Sequence, residues 1–558
     1  MSPSNNPREN ETEDYNYSSD VRHVDNNFGP KVVSLDDNQQ RAVDSVMRSL
    51  RNENEGSHVL ALHGSPGSGK TFTLSMIVVA VSDMNIKLSP ASKSISLHMV
   101  SQTHLATVEA ARMILLARNY PNGHVIITGS EKLLQLPPEM AALHLDSCAH
   151  RLMVGLPNWM KHLRDLETLL SGNHSFNLEE SLGKCILYGT IIHNDMPSSL
   201  LSKDMREVLS TAVTAMKSSM GSDSQSTQNE HTHLPLSNIS QLRLAFSQIC
   251  TTFPDPDDLR KLIVNEASIV LSTASRHENP ALRGKIFDVS IIDDCNRRLR
   301  RAADTHAKYL ILAGRNSKIL EHITRTSRRN SVSTVQLHRQ YRMHPAVSQW
   351  STKHFCDGLV SHADAVLTSP LVRTWHSLVP PLSFHFVSGV VEYSDSARSY
   401  FNRNEAAAVV TAVVNFNSLL SSASGHYLRG VKSDLDFTYS TLPIKVCIAS
   451  PSRAQTNRIN ALMRAYERAH PLLNLSVECR TIHQCEGLQC DVCFFSCVRT
   501  ELFNFQPWLL NVAITRAKLS LVVIGDQSSM KRNEVLSDMM NSFVNSPDSS
   551  VNFIFHRI

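Results

Sequence analysis

The stretch from His63 to Thr71, HGSPGSGKT, fits G-x-x-x-x-G-K-[ST] from Gly64 to Thr71. Glycines let a backbone curl until its N–H groups face inward at an anion; a lysine adds a point charge for β- and γ-phosphates, and a threonine hydroxyl suits Mg2+. Gly64, Ser65, Pro66, Gly67, Ser68, Gly69, Lys70 and Thr71 are therefore the candidate phosphate-binding residues. The flanks agree. HVLAL (58–62) is a short apolar run of strand type, and TFTLSMIVVAVS (71–82) is apolar and long enough for a helix. The loop thus stands where a strand turns into a helix, where helix N-terminal amides also favour an anion. A glycine-serine turn that carried Lys-Thr by chance would lack this setting. The implied ligand is ATP or GTP with Mg2+.

Upstream, Ser34 is expected to cap a helix bearing Ala42, Val43, Val46, Met47 and Leu50 on one face. Gln39 falls near the start of that helix; alone, it would be a solvated surface residue. Downstream, SISLHMV (94–100), HVIIT (124–128), ASIVLST (267–273), DVSII (288–292) and YLILA (309–313) are short apolar strands separated by helical patterns. DVSII runs into Asp293 and Asp294, and a buried strand ending in acids is the second half of a phosphate-loop site, where carboxylates face the metal. Thr71 and Asp293 are the candidate Mg2+ ligands.

A second α/β series follows, with strands near Ser383–Val387, Lys445–Ala449, Asp491–Ser496 and Leu519–Ile524 and no second glycine-rich loop. The fold expected is α/β: two parallel-sheet P-loop NTPase-type domains, the first carrying a helical and flexible insertion. The expected boundaries are a disordered tail at 1–29, a first domain at 30–325 with its insertion at about 130–265, a linker at 326–335 and a second domain at 336–558. His231 and His233 in the insertion are read as solvated.

Composition narrows little. The chain has 558 residues, 42% hydrophobic and 19% charged, with net charge +4, which neither demands nor excludes nucleic acid. No apolar run approaches membrane-spanning length and the N-terminus lacks a signal-peptide build, so an intracellular protein is expected, cytoplasmic or nuclear. Cys485, Cys490, Cys493 and Cys497 have the spacing C-x4-C-x2-C-x3-C. Because alternate residues of a strand face opposite ways, the four are read as core-filling thiols that do not all converge.

The motifs together resemble superfamily 1 DNA/RNA helicases, in the branch of the nonsense-mediated mRNA decay helicase and the flap-processing helicase-nuclease. LDDNQQRAV (35–43) resembles the Q motif, with Gln39 in the adenine-reading position; GSPGSGKT is motif I, SQTHLAT (101–107) stands for motif Ia and IIDDCN (291–296) for motif II. LHRQYRMHP (337–345) with FCDGL (355–359), then SYFNRNEA (399–406), ASPSRAQ (449–455) and LLNVAITRAK (509–518) complete the series. The resemblance implies two RecA-like domains holding ATP and Mg2+ between them. Arg342 and Arg516 would be arginine fingers on the γ-phosphate, with Lys70, Asp293 and Asp294 as the other catalytic groups. Tyr341 would stack near the adenine, and Gly487 would belong to the nucleotide-facing motif V. The same resemblance implies single-stranded RNA or DNA as partner. Thr103, His104, Thr273, Thr481 and His483 would lie along the strand, holding its backbone in a sequence-independent, salt-sensitive way; each by itself is a residue that commonly caps a helix. The oligomeric state is left open and is compatible with a monomer.

The departures are specific. Motif II has Asp294 where the family has a water-polarising glutamate, one methylene shorter; motif III reads Gly314-Arg315-Asn-Ser-Lys318 in place of Gly-Asp-x-x-Gln; motif V reads Glu486-Gly487-Leu488-Gln489 in place of Gln-Gly-x-Glu. About 34 residues precede the Q motif, too few for the β-barrel of the RNA-surveillance members. A misplaced catalytic group costs on the order of a hundredfold. Two readings follow: an ATP-dependent helicase or single-strand translocase, or a catalytically impaired relative that binds nucleic acid under ATP control. A phosphate-loop kinase or GTPase has no use for QYRMHP or NVAITRA.

Overall fold

The computed structural model describes residues 20–25, 28–52, 57–87, 94–120, 123–130, 134, 136–170, 178–197, 199–220, 236–251, 253–274, 279–293, 307–314, 331–355, 360–363, 375–377, 379–422, 443–470, 472, 474–485, 487–498, 507–544 and 555–557. Strands β1 (Asp20–Asp25) and β2 (Phe28–Ser34) pair antiparallel. The described part of the expected tail is therefore a hairpin, whose pairing satisfies backbone groups and which its polar composition did not announce. Helix α1 (Asp37–Arg51) is capped by Asp36, not Ser34, which ends β2. Asp36 accepts from the backbone of Asn38 (2.9 Å) and Gln39 (2.8 Å), and Gln39 Oε1 accepts from Asp36 N (3.1 Å). This reciprocal box needs a capping acid with a glutamine three residues on, which the pair 36/39 supplies.

The first sheet contains β3 (His58–Gly64), β4 (Leu97–Ser101), β5 (Val125–Thr128), β6 (Ile269–Thr273), β7 (Val289–Asp293), β8 (Tyr309–Gly314) and β9 (Ser331–Leu337), in the order β5-β6-β4-β7-β8-β3-β9. All of its pairs are parallel. Helices α2 (Lys70–Lys87) and α3 (His104–Ala117) pack with α1 over one face, around Leu74, Ile77, Ala110 and Ile114. Strand β9 corrects the expected linker, since residues 331–335 belong to this sheet. As an edge strand it is paired on one side only and keeps polar residues: Ser333 Oγ meets His58 Nε2 (3.0 Å) and Ser45 Oγ (3.1 Å). Such a strand shows no continuous apolar run in sequence.

The insertion is helical where described: Leu145–Leu170, Leu178–Asp195, Lys203–Met220, Leu236–Thr251 and Pro256–Glu266 enclose their own core. Trp159 meets Phe246 edge to face at 4.5 Å, and Ile126 and Val270 of the sheet join the same core. His231 and His233 lie outside the described residues.

In the second half, β10 (Arg339–Gln340) pairs with β11 (Ser361–His362), and β13 (Val391–Ser394) with β14 (Ser399–Asn402). The second sheet consists of β12 (Leu382–Phe386), β15 (Ile444–Ser450), β16 (Leu475–Thr481), β17 (Cys490–Ser496), β18 (Ala517–Gly525) and β19 (Phe555–Arg557), ordered β16-β15-β17-β18-β12-β19 and all parallel. Helices Arg403–Ser421 and Arg453–Ala469 cover one face, and Pro345–Phe355, Pro507–Ile514 and Glu534–Val544 cover the other. These are the two RecA-like domains. Among the described residues no helix is long and apolar enough to cross a membrane.

Cys485, Cys490, Cys493 and Cys497 are all buried and do not all converge, as expected, but Cys490 and Cys493 meet the thiol of Cys447 from another strand. The pairing of β17 with β18 shifts register between Cys490 and Val492. Cys490 thereby shares a core with Cys493, Phe495 and Cys497, while Val492 and Phe494 face the other way. The Sγ atoms of Cys447, Cys490 and Cys493 lie within 4.8 Å of one another. A regular pleat would have separated residues three apart. Cys497 sits elsewhere, against Gly525.

Candidate nucleotide site at the seam of two sheets

Strand β3 is buried along its whole length and delivers Gly64 to the C-terminal edge of the sheet. Gly67 and Gly69 then hold φ of +86° and +83°, a left-handed backbone that favours glycine. Both also stand where the chain is clasped. A Cβ on Gly67 would fall 2.1 Å from Gln340 Oε1, and one on Gly69 2.6 Å from Gln39 Nε2. The start of α1 grips the loop on one side and the QYR segment on the other.

The loop interior fits a polyanion. Ser65 Oγ and Ser68 Oγ are buried with no hydrogen-bond partner. Lys70, almost fully buried, turns its ammonium across the loop to the carbonyls of Gly64 and Ser65, both at 2.9 Å. Unmatched hydroxyls, a cation and a helix N-terminus at one point are the donor set phosphate oxygens use. Thr71 Oγ1 donates to Asp293 Oδ2 at 2.8 Å across 222 residues of sequence. A hydroxyl in the first turn of α2 and a buried carboxylate at the end of β7 are hard oxygen donors of the kind Mg2+ takes, so the residues present fit that ion.

Of the predicted site residues, Gln39, the loop from Gly64 to Thr71, Asp293, Tyr341 and Arg342 come together. Tyr341 N donates to Gly67 O (2.9 Å), and its hydroxyl donates to Asp36 Oδ2 (2.5 Å). Partial burial and the Asp36 carboxylate both push the Tyr341 phenol well above its ordinary range. Arg342 starts beside Gly67 and donates from Nη1 to Thr515 O (3.0 Å). Arg516 is buried in the second domain: Nη1 reaches the carbonyls of Cys485 (3.3 Å) and Leu488 (3.2 Å), and Nη2 reaches Thr515 Oγ1 (3.0 Å). Its contacts brace the turn that carries Gly487. Asp294, Arg315, Lys318 and Glu486 lie outside the described residues.

Two residues that the sequence reading left without a role prove central. Gln340 is fully buried; its Nε2 donates to Pro66 O (2.6 Å), and its Oε1 accepts from the backbone of Arg342 (2.9 Å) and Met343 (3.3 Å). Asp36 both caps α1 and receives Tyr341. The available signal was an amide sitting between two residues already assigned, and a capping acid three positions before the glutamine.

A second seam lies beyond the loop. Gly487, at φ +82°, comes so close to the start of α3 that a Cβ there would meet Thr103 Oγ1 at 2.7 Å. Thr103 caps α3 by accepting from Ala106 N (3.2 Å), and His104 is the first residue of that helix. Thr273 ends β6, in register with Ser101. In the second sheet Thr481 ends β16 and bonds Gln484 Oε1 through both N and Oγ1, while His483 is exposed on the turn that follows. The proposed strand contacts thus stand on C-terminal strand edges of both sheets.

Two family models, both described as AAA domain, match residues 34–300 and 318–528. Helicase SEN1 of Saccharomyces cerevisiae is 26% identical over 311 residues, 50% of this chain and 13% of the relative. A Drosophila melanogaster homolog of Regulator of nonsense transcripts 1 is 22% identical over 364 residues, covering 63% and 28%. ATP-dependent helicase upf1 of Schizosaccharomyces pombe is 28% identical over 204 residues, covering 35% and 20%. The chain therefore spans less than a third of the length of each of these relatives.

Proposed function

The chain belongs to the superfamily 1 helicases, in the branch of the nonsense-transcript regulators and Sen1, and from this we propose that it hydrolyses ATP between its two sheets to move along or separate nucleic-acid strands. The observation that carries the reading is the clasp on the phosphate loop. Gln39 from the first domain and Gln340, Tyr341 and Arg342 from the segment entering the second hold the same two glycines. A ligand filling the loop would bear on both domains at once, which is the requirement for coupling a nucleotide to domain closure.

In this reading Lys70 leaves the Gly64 and Ser65 carbonyls for the β- and γ-phosphates, and the loop N–H groups with Ser65 and Ser68 take phosphate oxygens. Thr71 and Asp293 would hold Mg2+, which supplies charge neutralisation on the transferred phosphoryl group. Arg342 and Arg516 are the candidates to answer the charge that develops on the γ-phosphate, since a guanidinium stays ionised and binds oxygens as a fork. Asp294, one methylene shorter than the family's glutamate, is the residue that would orient the attacking water. Thr103, His104, Thr273, Thr481 and His483 line the path of a single strand of RNA or DNA.

Steady-state ATP hydrolysis with and without poly-U and single-stranded DNA, beside Lys70→Ala, tests this. The expected result is a Lys70-dependent rate that single strands raise; no stimulation by any single strand refutes it. A second reading, an ATP-gated binding module, is favoured by the replacement of the motif II glutamate and of both motif III polar groups. It predicts ATP that binds in a Lys70-dependent way and persists unhydrolysed.

A further inference from the structure

Away from the nucleotide loop, the second domain gathers four thiols from three chain segments. Cys447 on β15 and Cys493 on β17 are register partners, and Cys490 joins them through the irregular start of β17. All three are buried, with their Sγ atoms within 4.8 Å of one another. Cys485, which closes the 3-10 turn Ile482–Cys485, brings its Sγ to 3.8 Å from that of Cys447. A single buried cysteine is ordinary core filler. Three sulfurs around that of Cys447, two of them also close to each other and the third, Cys485, reaching Cys447, are a different matter, because a tetrahedral zinc with Zn–S bonds of about 2.3 Å sets its sulfurs about 3.8 Å apart. The 447–485 pair already has that separation.

We propose that Cys447, Cys485, Cys490 and Cys493 form a tetrathiolate site for one thiophilic divalent ion of the zinc class. Soft thiolates select such ions over the hard Mg2+ of the nucleotide loop, so the two sites do not compete. Loading involves no redox change: four S–H groups give four protons to solvent, four metal–sulfur bonds form, and the site carries a net charge of −2. The protons leaving Cys485 and Cys493 are those now offered to the carbonyls of Thr481 and Ala513. Arg516, whose guanidinium bonds the Cys485 carbonyl, stands as a buried cation beside that negative charge. The ion would staple β15, β17 and the turn that leads two residues later to Gly487, and so fix the seam at Thr103.

The test uses the full chain purified without chelator, its metal content measured by plasma mass spectrometry. In parallel, the chain is refolded under reducing conditions with Cd(II) as probe and the ultraviolet thiolate-to-cadmium absorption recorded. The expected result is one ion per chain with a signal scaling to four thiolates. It should be lost in the double variant Cys490→Ser/Cys493→Ser and kept in Cys250→Ser, whose residue is exposed. Should the double variant fail to fold, the wild-type stoichiometry and absorption decide. Overturning results are a metal-free native chain that takes no Cd(II) into thiolate coordination, or a bound ion whose signal survives the double substitution.

Discussion

Gly67 and Gly284 hold nearly the same left-handed φ, +86° and +83°, in opposite surroundings. Alanine at either position carries a backbone cost of about 1–2 kcal/mol. At Gly284 a Cβ meets nothing within 4 Å, whereas at Gly67 it would sit 2.1 Å from Gln340 Oε1 and 2.8 Å from Arg342 Cβ. Gln340 cannot swing aside cheaply. Its amide is buried and serves Pro66 O, Arg342 N and Met343 N, and each buried group left unmatched costs about 1–3 kcal/mol. Gly67→Ala should therefore cost about 2–5 kcal/mol against about 1–2 for Gly284→Ala. If the clasp shapes the nucleotide site, the excess of about 1–3 kcal/mol weakens ATP binding by roughly 5- to 150-fold. Gly284→Ala should leave affinity unchanged. The assay is equilibrium titration with a fluorescent ATP analogue, with denaturant unfolding of both variants alongside. Equal losses of affinity in the two variants, or unchanged affinity in Gly67→Ala, would refute the reasoning.

Glu405, fully buried, accepts from Ser496 Oγ (2.6 Å) and Val498 N (2.8 Å), and burial pushes its carboxyl up to about 7 from an ordinary value of 4.5. The folded chain keeps this proton over a window in which the unfolded chain has lost it, so stability falls as pH rises from about 4.5 to about 7 and levels off above, by about 3 kcal/mol in all. Glu405→Gln should remove that slope in urea unfolding at pH 5 and pH 8; parallel profiles for wild type and variant would contradict the assignment. Arg516→Lys keeps the charge but not the fork on the carbonyls of Cys485 and Leu488, and should lower unfolding stability by about 1–3 kcal/mol. No loss would mean that the Gly487 turn does not depend on the guanidinium.

Much of the architecture was legible because it rests on local signals. HVLAL, HVIIT, DVSII and YLILA are buried parallel strands, whose apolar runs announce themselves, and HGSPGSGKT names its own geometry through Gly67 and Gly69. The edge strand β9 was hidden for the opposite reason: one flank stays unpaired and polar residues remain on it, so 331–335 fell inside the expected linker, and the β1–β2 hairpin lay partly in a stretch read from its polar composition as a tail. The N-cap moved from Ser34 to Asp36 because two candidate caps stood two residues apart and only the path of β2 chose between them.

The sequence by itself determined the chemistry available: a phosphate loop, an acid at the end of a buried strand, paired arginines, and a motif order that marks the helicase branch. It could not say which side chains meet. That Gln340 and Gln39 grip opposite sides of one loop, that Thr71 reaches Asp293 across 222 positions, and that a register shift turns Cys490 toward Cys447 and Cys493 all depend on how distant strands align. Side-chain direction in a sheet reverses with a single residue of register, and register is settled by packing between strands that no local pattern records.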